Sequence, residues 1–317
     1  MTEGYIDNFL NDALPKLRIA VVGDIMVDRY VFGSVDRISP EAPVPVNKVN
    51  RISSVLGGAA NVAANLANLD CRVYLAGLVG DDENAALLRG LLNDAGIDGT
   101  GMVVRKGHVT TTKVRVLGSR QQMVRLDFED AVPFERKEED ALAAWLDQRI
   151  AQGLDGMILS DYKKGVLTDR MSQLVIERAR RAGIPVLVDP KGSDWHKYNG
   201  ADFVTPNIKE LGDCCGEKIP NEGQAVVDAA RRLHEQYDFA HIMVTRSEKG
   251  ITVIRKDGKV WNNPATAQEV FDVSGAGDTV AAAFLAAVAS HLSIRTSLQV
   301  ANAAAGIVVT KVGTYPI

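Results

Sequence analysis

Ile19-Ala20-Val21-Val22, stopped by Gly23-Asp24, is a short apolar run that ends on a small residue and a carboxylate. Five more runs of this kind follow along the chain. They are 73–79 before Gly80-Asp81-Asp82, 157–159 before Ser160-Asp161, 186–188 before Asp189-Pro190, 203–204 before Thr205-Pro206-Asn207, and 242–244 before Thr245-Arg246. Continuous apolar runs of this length read as parallel strands covered on both faces. Helical patterns lie between them at 59–68, 84–95, 137–152, 170–182 and 223–237. The alternation predicts an α/β fold with a doubly wound, mostly parallel sheet flanked by helices. In such sheets ligands bind beyond the carboxyl ends of the strands. Those ends carry Asp24, Asp161, Asp189, Asn207 and Thr245, a polar set suited to hydroxyls, cations or a metal–nucleotide complex.

Two segments break the rhythm. Residues 30–52 carry Pro40, Pro43 and Pro45 among β-branched residues, so they are expected to be extended and not a central strand. Residues 110–128 alternate with a period of two around Lys113, Arg115, Arg120 and Arg125. Together they predict a small projecting β-sheet, a lid or a dimer surface.

The chain carries 36 Lys and Arg against 40 Asp and Glu, a formal net charge of −4. No global field therefore draws it to nucleic acid or to an anionic membrane. The short basic runs at Arg178, Arg180 and Arg181 and at Arg231 and Arg232 read as solvated helix faces. Cys71 and the adjacent Cys214 and Cys215 have no metal-ligand spacing and read as reduced thiols. The first ten residues lack the apolar region of a signal peptide. The longest apolar run, 280–289, falls well short of the about 20 residues a membrane span needs. The expectation is a cytoplasmic protein with small-molecule ligands.

The most informative chemistry lies at Phe271-Asp272-Val273-Ser274-Gly275-Ala276-Gly277-Asp278-Thr279, where a Gly-rich turn runs into an Ala-rich helix. Gly275 and Gly277 let the backbone approach a ligand. The free N–H groups of a helix start and the positive end of its dipole make an anion site. Asp278 stands in that site. A carboxylate there repels a bound phosphate, unless its task is to take a proton from an attacking hydroxyl. An Asp that only caps a helix after a Gly turn has the same spacing. The stretch lacks the Lys-Ser/Thr of a P-loop, and Val280 stands where a dinucleotide fingerprint needs Gly.

The run 272–279 resembles the C-terminal signature of the ribokinase-like (PfkB) carbohydrate kinases. The N-terminal signature is matched by Leu56-Gly57-Gly58-Ala59-Ala60-Asn61-Val62-Ala63, continuing to Gly77-Leu78-Val79-Gly80-Asp81-Asp82. The resemblance covers essentially the whole chain. It implies one ribokinase-like kinase domain over 1–317, with lid segments inserted at about 31–52 and 109–128. It also implies ATP-dependent phosphorylation of a sugar hydroxyl with Mg²⁺.

By that resemblance Asp278 is the general base, and Gly275, Ala276 and Gly277 form the anion hole. Asp28, Gly57, Gly58 and Asn61 line the sugar site, although Gly57-Gly58 also suits a plain tight turn. Asn207 and Glu210 match an Asn-x-x-Glu element near Mg²⁺, with Glu210 acting through water; the same spacing is a helix capping box. Lys191, Ile208, Lys209, Thr245, Ser247, Gly250 and Asn302 fall at nucleotide-side positions. Asp272 and Ser274 match a monovalent-cation site that K⁺ occupies in many relatives. A homodimer through the lid is implied as well.

Three further stretches resemble the heptose 7-phosphate kinases of ADP-heptose synthesis, which act at O1 of D-glycero-β-D-manno-heptose 7-phosphate. They are 23–30 with 37–46, 111–115 with 121–127, and 159–165. Arg37-Ile38-Ser39-Pro40-Glu41-Ala42-Pro43-Val44-Pro45 is the most discriminating piece. A substrate that already carries a phosphate needs extra cations, and Lys113, Arg115, Arg125 and Lys163 are the candidates. Asp161 is expected at sugar hydroxyls. Another kinase of the family, for ribose or a fructose phosphate, is the alternative. The bifunctional relatives carry a C-terminal nucleotidyltransferase domain. No motif for one is found before Ile317, so the expected product is the 1,7-bisphosphate alone.

Overall fold

The computed structural model describes residues 7–119, 121–265, 273–310 and 317. Chain order gives β1 (Arg18–Gly23), β2 (Ile25–Ile38), β3 (Pro45–Gly58), α1 (Ala59–Asn68), β4 (Arg72–Val79), α2 (Glu83–Asp94), β5 (Asp98–Val104), β6 (Thr112–Gly118) and β7 (Gln121–Phe128). It continues with α3 (Arg136–Ala151), β8 (Gly156–Ser160), α4 (Asp169–Ala182), β9 (Val186–Asp189), β10 (Phe203–Val204), α5 (Ile208–Cys215), α6 (Gly223–Gln236) and β11 (His241–Thr245). β12 (Ile251–Arg255), β13 (Val260–Asn263), α7 (Ala276–Ala289) and α8 (Ile294–Val308) complete it.

Among the described residues the main sheet has nine strands in the order β13-β12-β11-β10-β9-β8-β1-β4-β5. The pairs from β11 through to β5 are parallel, and β12 and β13 add an antiparallel edge. Side chains alternate across a strand, so one apolar run feeds two cores. Ile19 and Val21 pack with α1, α7 and α8, whereas Ala20 and Val22 pack with α3, α4 and α6. All four are fully buried. The six expected strands and five expected helices are all present, with ends that differ by a residue or two. The apolar run 280–289 is explained by burial: α7 is apolar on every side because it lies inside, packed on α1 and α8. Among the described residues no helix is long and apolar enough to cross a membrane.

The second sheet has the order β3-β2-β6-β7. Its strands begin deeper than the sequence suggests, at Ile25 and ending at Gly58, with Ile25 opposite Gly58 and Met26 opposite Gly57. β2 is internal, between β3 and β6, which corrects the expectation that 30–52 supplies no central strand. The prolines explain the difference. Pro40 and Pro43 lie in the connection and Pro45 opens the edge strand β3, so none removes an internal hydrogen bond. Arg120 and Asp272 lie outside the described residues.

The two sheets meet where β1 turns into β2. Gly23 pairs with Ser160, and a Cβ at Gly23 would lie 2.1 Å from the Ser160 carbonyl oxygen. That oxygen also accepts from the Asp24 amide at 3.1 Å. Backbone cannot yield as a side chain does, so Gly23→Ala is expected to lose roughly 1–3 kcal/mol or more. Urea denaturation measures it, and an unchanged midpoint would contradict this close approach.

Candidate active site

Asp278 occupies the third position of α7, after Gly275 caps the helix with φ +79°. Its carboxylate is buried and holds two donors. Asn61 Nδ2 of α1 donates to Oδ2 at 2.7 Å, and the Tyr162 hydroxyl donates to Oδ1 at 2.7 Å. Burial raises its pKa from 3.8 to about 6, with the charge of Asp28 adding to the rise and both hydrogen bonds opposing it. A carboxyl poised near neutrality is matched to proton abstraction. A second buried network keeps α1 and α7 in register: Thr279 Oγ1 donates to Asn65 Oδ1 at 2.8 Å, and Asn65 Nδ2 donates to the Asn61 carbonyl at 2.8 Å.

Asp28 follows β1 and lies inside β2. It is buried, and its Oδ1 accepts from Arg115 of β6 at 2.6 Å. Gly57 leaves the other oxygen clear, since a Cβ there would stand 2.7 Å from Oδ2. Gly58, with φ +55°, lets the chain turn into α1 against the Asp24 carbonyl. Gly57-Gly58 therefore ends a strand instead of forming a separate tight turn. Asp161 is held by donors of the protein itself. Its Oδ2 accepts from Tyr198 at 2.6 Å and from Lys197 at 2.5 Å, and its Oδ1 accepts from the Lys163 amide at 2.7 Å.

The four cations divide in the same way. Lys113 lies near Asp127 and Glu129, Arg115 pairs with Asp28, and Arg125 forms two hydrogen bonds with Asp127. Lys163 is exposed and takes φ +56°. Its chain lies along Gly192, where a Cβ would meet Lys163 Nζ at 2.6 Å.

The nucleotide-side residues form a cleft of about 1310 Å³ lined by Asn207, Ile208, Lys209, Thr245, Ser247 and Gly250, with Ala276, Gly277 and Asn302. Gly277 opens onto it: a Cβ there has nothing within 4 Å. The Ala276 amide donates to the Val273 carbonyl at 3.2 Å, so it is not a free anion-hole donor. The Gly277 and Asp278 amides precede the first intrahelical bond, Thr279 to Gly275, and have no carbonyl within their own helix. Asn207 and Glu210 do form the capping box. Glu210 Oε1 also accepts from Lys191 Nζ at 2.8 Å. Burial, then the charges of Asp278 and Glu210, push Asp189 well above the usual carboxylate range.

A family model for pfkB carbohydrate kinases matches residues 16–317. The chain belongs to that family. This kinase is 47% identical over 299 residues to the bifunctional protein HldE of Methylobacillus flagellatus, covering 94% of the chain and 61% of that relative. It is 45% identical to HldE of Paramagnetospirillum magneticum, covering 96% and 63%. The chain thus spans less than two thirds of the length of these relatives. Among solved structures it is similar to Arabidopsis thaliana ribokinase complexed with ribose and ATP (TM-score 0.74, 22% identity, 95% of each chain). It is also similar to Escherichia coli phosphofructokinase-2 in complex with potassium (TM-score 0.75, 18% identity, 94% of each chain). These likenesses show the ribokinase-like fold, and family membership makes the chain a phosphotransferase with an alcohol acceptor.

Kinases of this family use ATP with Mg²⁺. Among the described residues no three His, Cys, Asp or Glu side chains are grouped to hold an ion unaided. The charges of Asp278 and Glu210 nevertheless add to the cost of ionising the buried Asp189, with Lys191 as the neighbouring cation. Glu210 is hydrogen-bonded to Asn207, which lines the cleft, and this concentration of carboxylates fits Mg²⁺, which keeps several waters and binds through few carboxylates.

Sequence reasoning passed over Tyr162, Lys197, Tyr198 and the Asn65–Thr279 pair. Tyr162 had a signal, since it follows a strand end that was already singled out. Lys197 and Tyr198 lie in a 3₁₀ turn with no such signal.

Proposed function

We propose that this kinase transfers the γ-phosphoryl group of ATP to O1 of D-glycero-β-D-manno-heptose 7-phosphate. The observation that carries the reading is Asp278: a buried carboxyl with a pKa raised to about 6, next to Ala276 and Gly277 of the helix start that line the cleft. The likeness to bifunctional HldE proteins supports the choice of sugar. In the reaction the O1–Pγ bond forms, the bond from Pγ to the β,γ-bridging oxygen breaks, and ADP leaves. Asp278 takes the O1 proton. Asn61 and Tyr162 hold its carboxylate, Asp28 Oδ2 accepts from sugar hydroxyls, and the Gly277 and Asp278 amides receive the transferred group's oxygens. Asn207, and Glu210 through water, would hold Mg²⁺, which would supply charge neutralisation to the phosphates. Lys191 adds a cation at the same end.

A monovalent cation such as K⁺ at Asp272 and Ser274 belongs to this reading, as does a cytoplasmic location. So does a homodimer through the second sheet. β7 is exposed along its whole length and presents Met123, Val124, Leu126 and Phe128. A bare apolar edge of this kind is normally covered.

ADP release with a sugar panel tests the proposal. Heptose 7-phosphate should give the highest kcat/KM, and a preference for ribose or fructose 6-phosphate would overturn it in favour of another kinase of the family. For the 7-phosphate, replacing Lys163 and Arg125 together by Ala should raise the sugar KM at least about tenfold, the loss expected for one charge-assisted contact. An unchanged KM removes both from that role.

A further inference from the structure

Asp24 is almost fully buried at the end of β1, yet nothing in the reaction uses it. Its Oδ2 accepts from the Tyr162 amide at 2.7 Å and the Lys164 amide at 2.9 Å, and its Oδ1 accepts from the Val166 amide at 3.1 Å. Three backbone bonds from one carboxylate fix a loop that has no regular structure of its own. The next residue in the loop, Lys163, is held at φ +56°, a conformation that costs a non-glycine residue energy and needs such a clamp. The Asp24 carbonyl also accepts from the Ala59 amide at 3.0 Å, at the start of the helix that carries Asn61. One buried residue therefore anchors both segments that supply donors to Asp278.

We propose that Tyr162 is a positioning residue for the acceptor-activating carboxylate, holding Asp278 Oδ1 from a loop clamped by Asp24. The phenol is suited to the task. Burial and the nearby Asp278 charge push its pKa well above the ordinary range, so it stays protonated and donates. With Asn61 on Oδ2 and Tyr162 on Oδ1, the carboxylate plane is fixed from two elements. Each oxygen still keeps a lone pair for an incoming hydroxyl. The other ionisable groups facing Asp278 are Asp28 from β2 and Asp189 from β9. Arg115 stands behind the first, and Lys191 and Glu210 stand behind the second. None of these donates to Oδ1.

The inference rests on Asp278 being the base, but its test does not depend on which sugar is phosphorylated. In the ligand-free protein the Asp278 carboxyl signal, identified by its loss in D278N, is titrated by ¹³C NMR in wild type and in Tyr162→Phe. Loss of a hydrogen bond to the charged form should raise the midpoint by about one unit. With substrate, Y162F should lower kcat about tenfold and leave the KM for ATP unchanged. The acid limb of its pH profile should move upward with the titration. An unmoved midpoint with unchanged kcat overturns the proposal. So does a loss confined to the KM for ATP. If wild type ignores heptose 7-phosphate while Y162F still shifts the midpoint, the positioning role is supported and only the choice of sugar falls.

Discussion

Asp278→Asn should lower kcat roughly 10²–10⁴-fold, the usual worth of a positioned general base, with little change in the KM for ATP. The amide is close to isosteric and both hydrogen bonds can be kept. Asn61 can turn its own carbonyl toward the new NH₂ group, and the Tyr162 oxygen can accept as well as donate. The loss therefore reports the proton acceptor and not a collapsed site. In wild type, kcat/KM should fall as pH drops through about 6, because the base works only when deprotonated. That limb should be missing in the variant's residual activity. Near-wild-type kcat would refute the base assignment.

The same residue predicts an opposite effect on stability. A carboxyl whose pKa rises from 3.8 to about 6 on folding binds a proton more tightly in the native state. Its contribution is therefore full below about pH 3.8 and is lost as pH rises through about 6. Above that, keeping the charge buried costs at most about 3 kcal/mol. D278N has no such charge, so near pH 8 it should melt higher than wild type, and the difference should vanish toward pH 4.

How much was legible follows from what each pattern depends on. Strand runs such as 19–22 are short-range signals, set by burial on two faces, and they fall where expected. The Gly-rich turn before Asp278 needs only local backbone freedom, and it too was readable. The limits of β2 were not. Ile25-Met26-Val27 continues the apolar character of β1, and only the pairing with Gly57 and Gly58 shows that the second sheet starts there. Long-range partners were the least visible. Asn61 and Asp278 could be named by resemblance, but the Tyr162 contact spans 116 positions and follows no spacing rule. Asp161 shows the converse. Its strand-end position suggested a ligand, whereas Lys197 and Tyr198, 36 and 37 positions on, take up its Oδ2.

Gly277→Val separates the anion site from the fold. Gly277 lies in the first turn of α7 with ordinary helical geometry, and a Cβ there meets nothing. Valine in an exposed helix position costs under about 1 kcal/mol relative to the best helix former, and glycine is itself a poor one. The melting temperature should therefore stay within a few degrees of wild type. The new isopropyl group would fill the space over the Gly277 and Asp278 amides, where the cleft reaches the helix start. Blocking those donors should lower kcat/KM for ATP about 10²-fold or more, the scale of losing one oxyanion donor. Gly275→Val is the contrast. Its φ of +79° strains any branched side chain, so stability and activity should fall together. Thermal melts with calorimetric titration of ATP read both variants. Undiminished ATP affinity and turnover in G277V would mean that the phosphates lie elsewhere in the cleft and that the helix start is not the anion site.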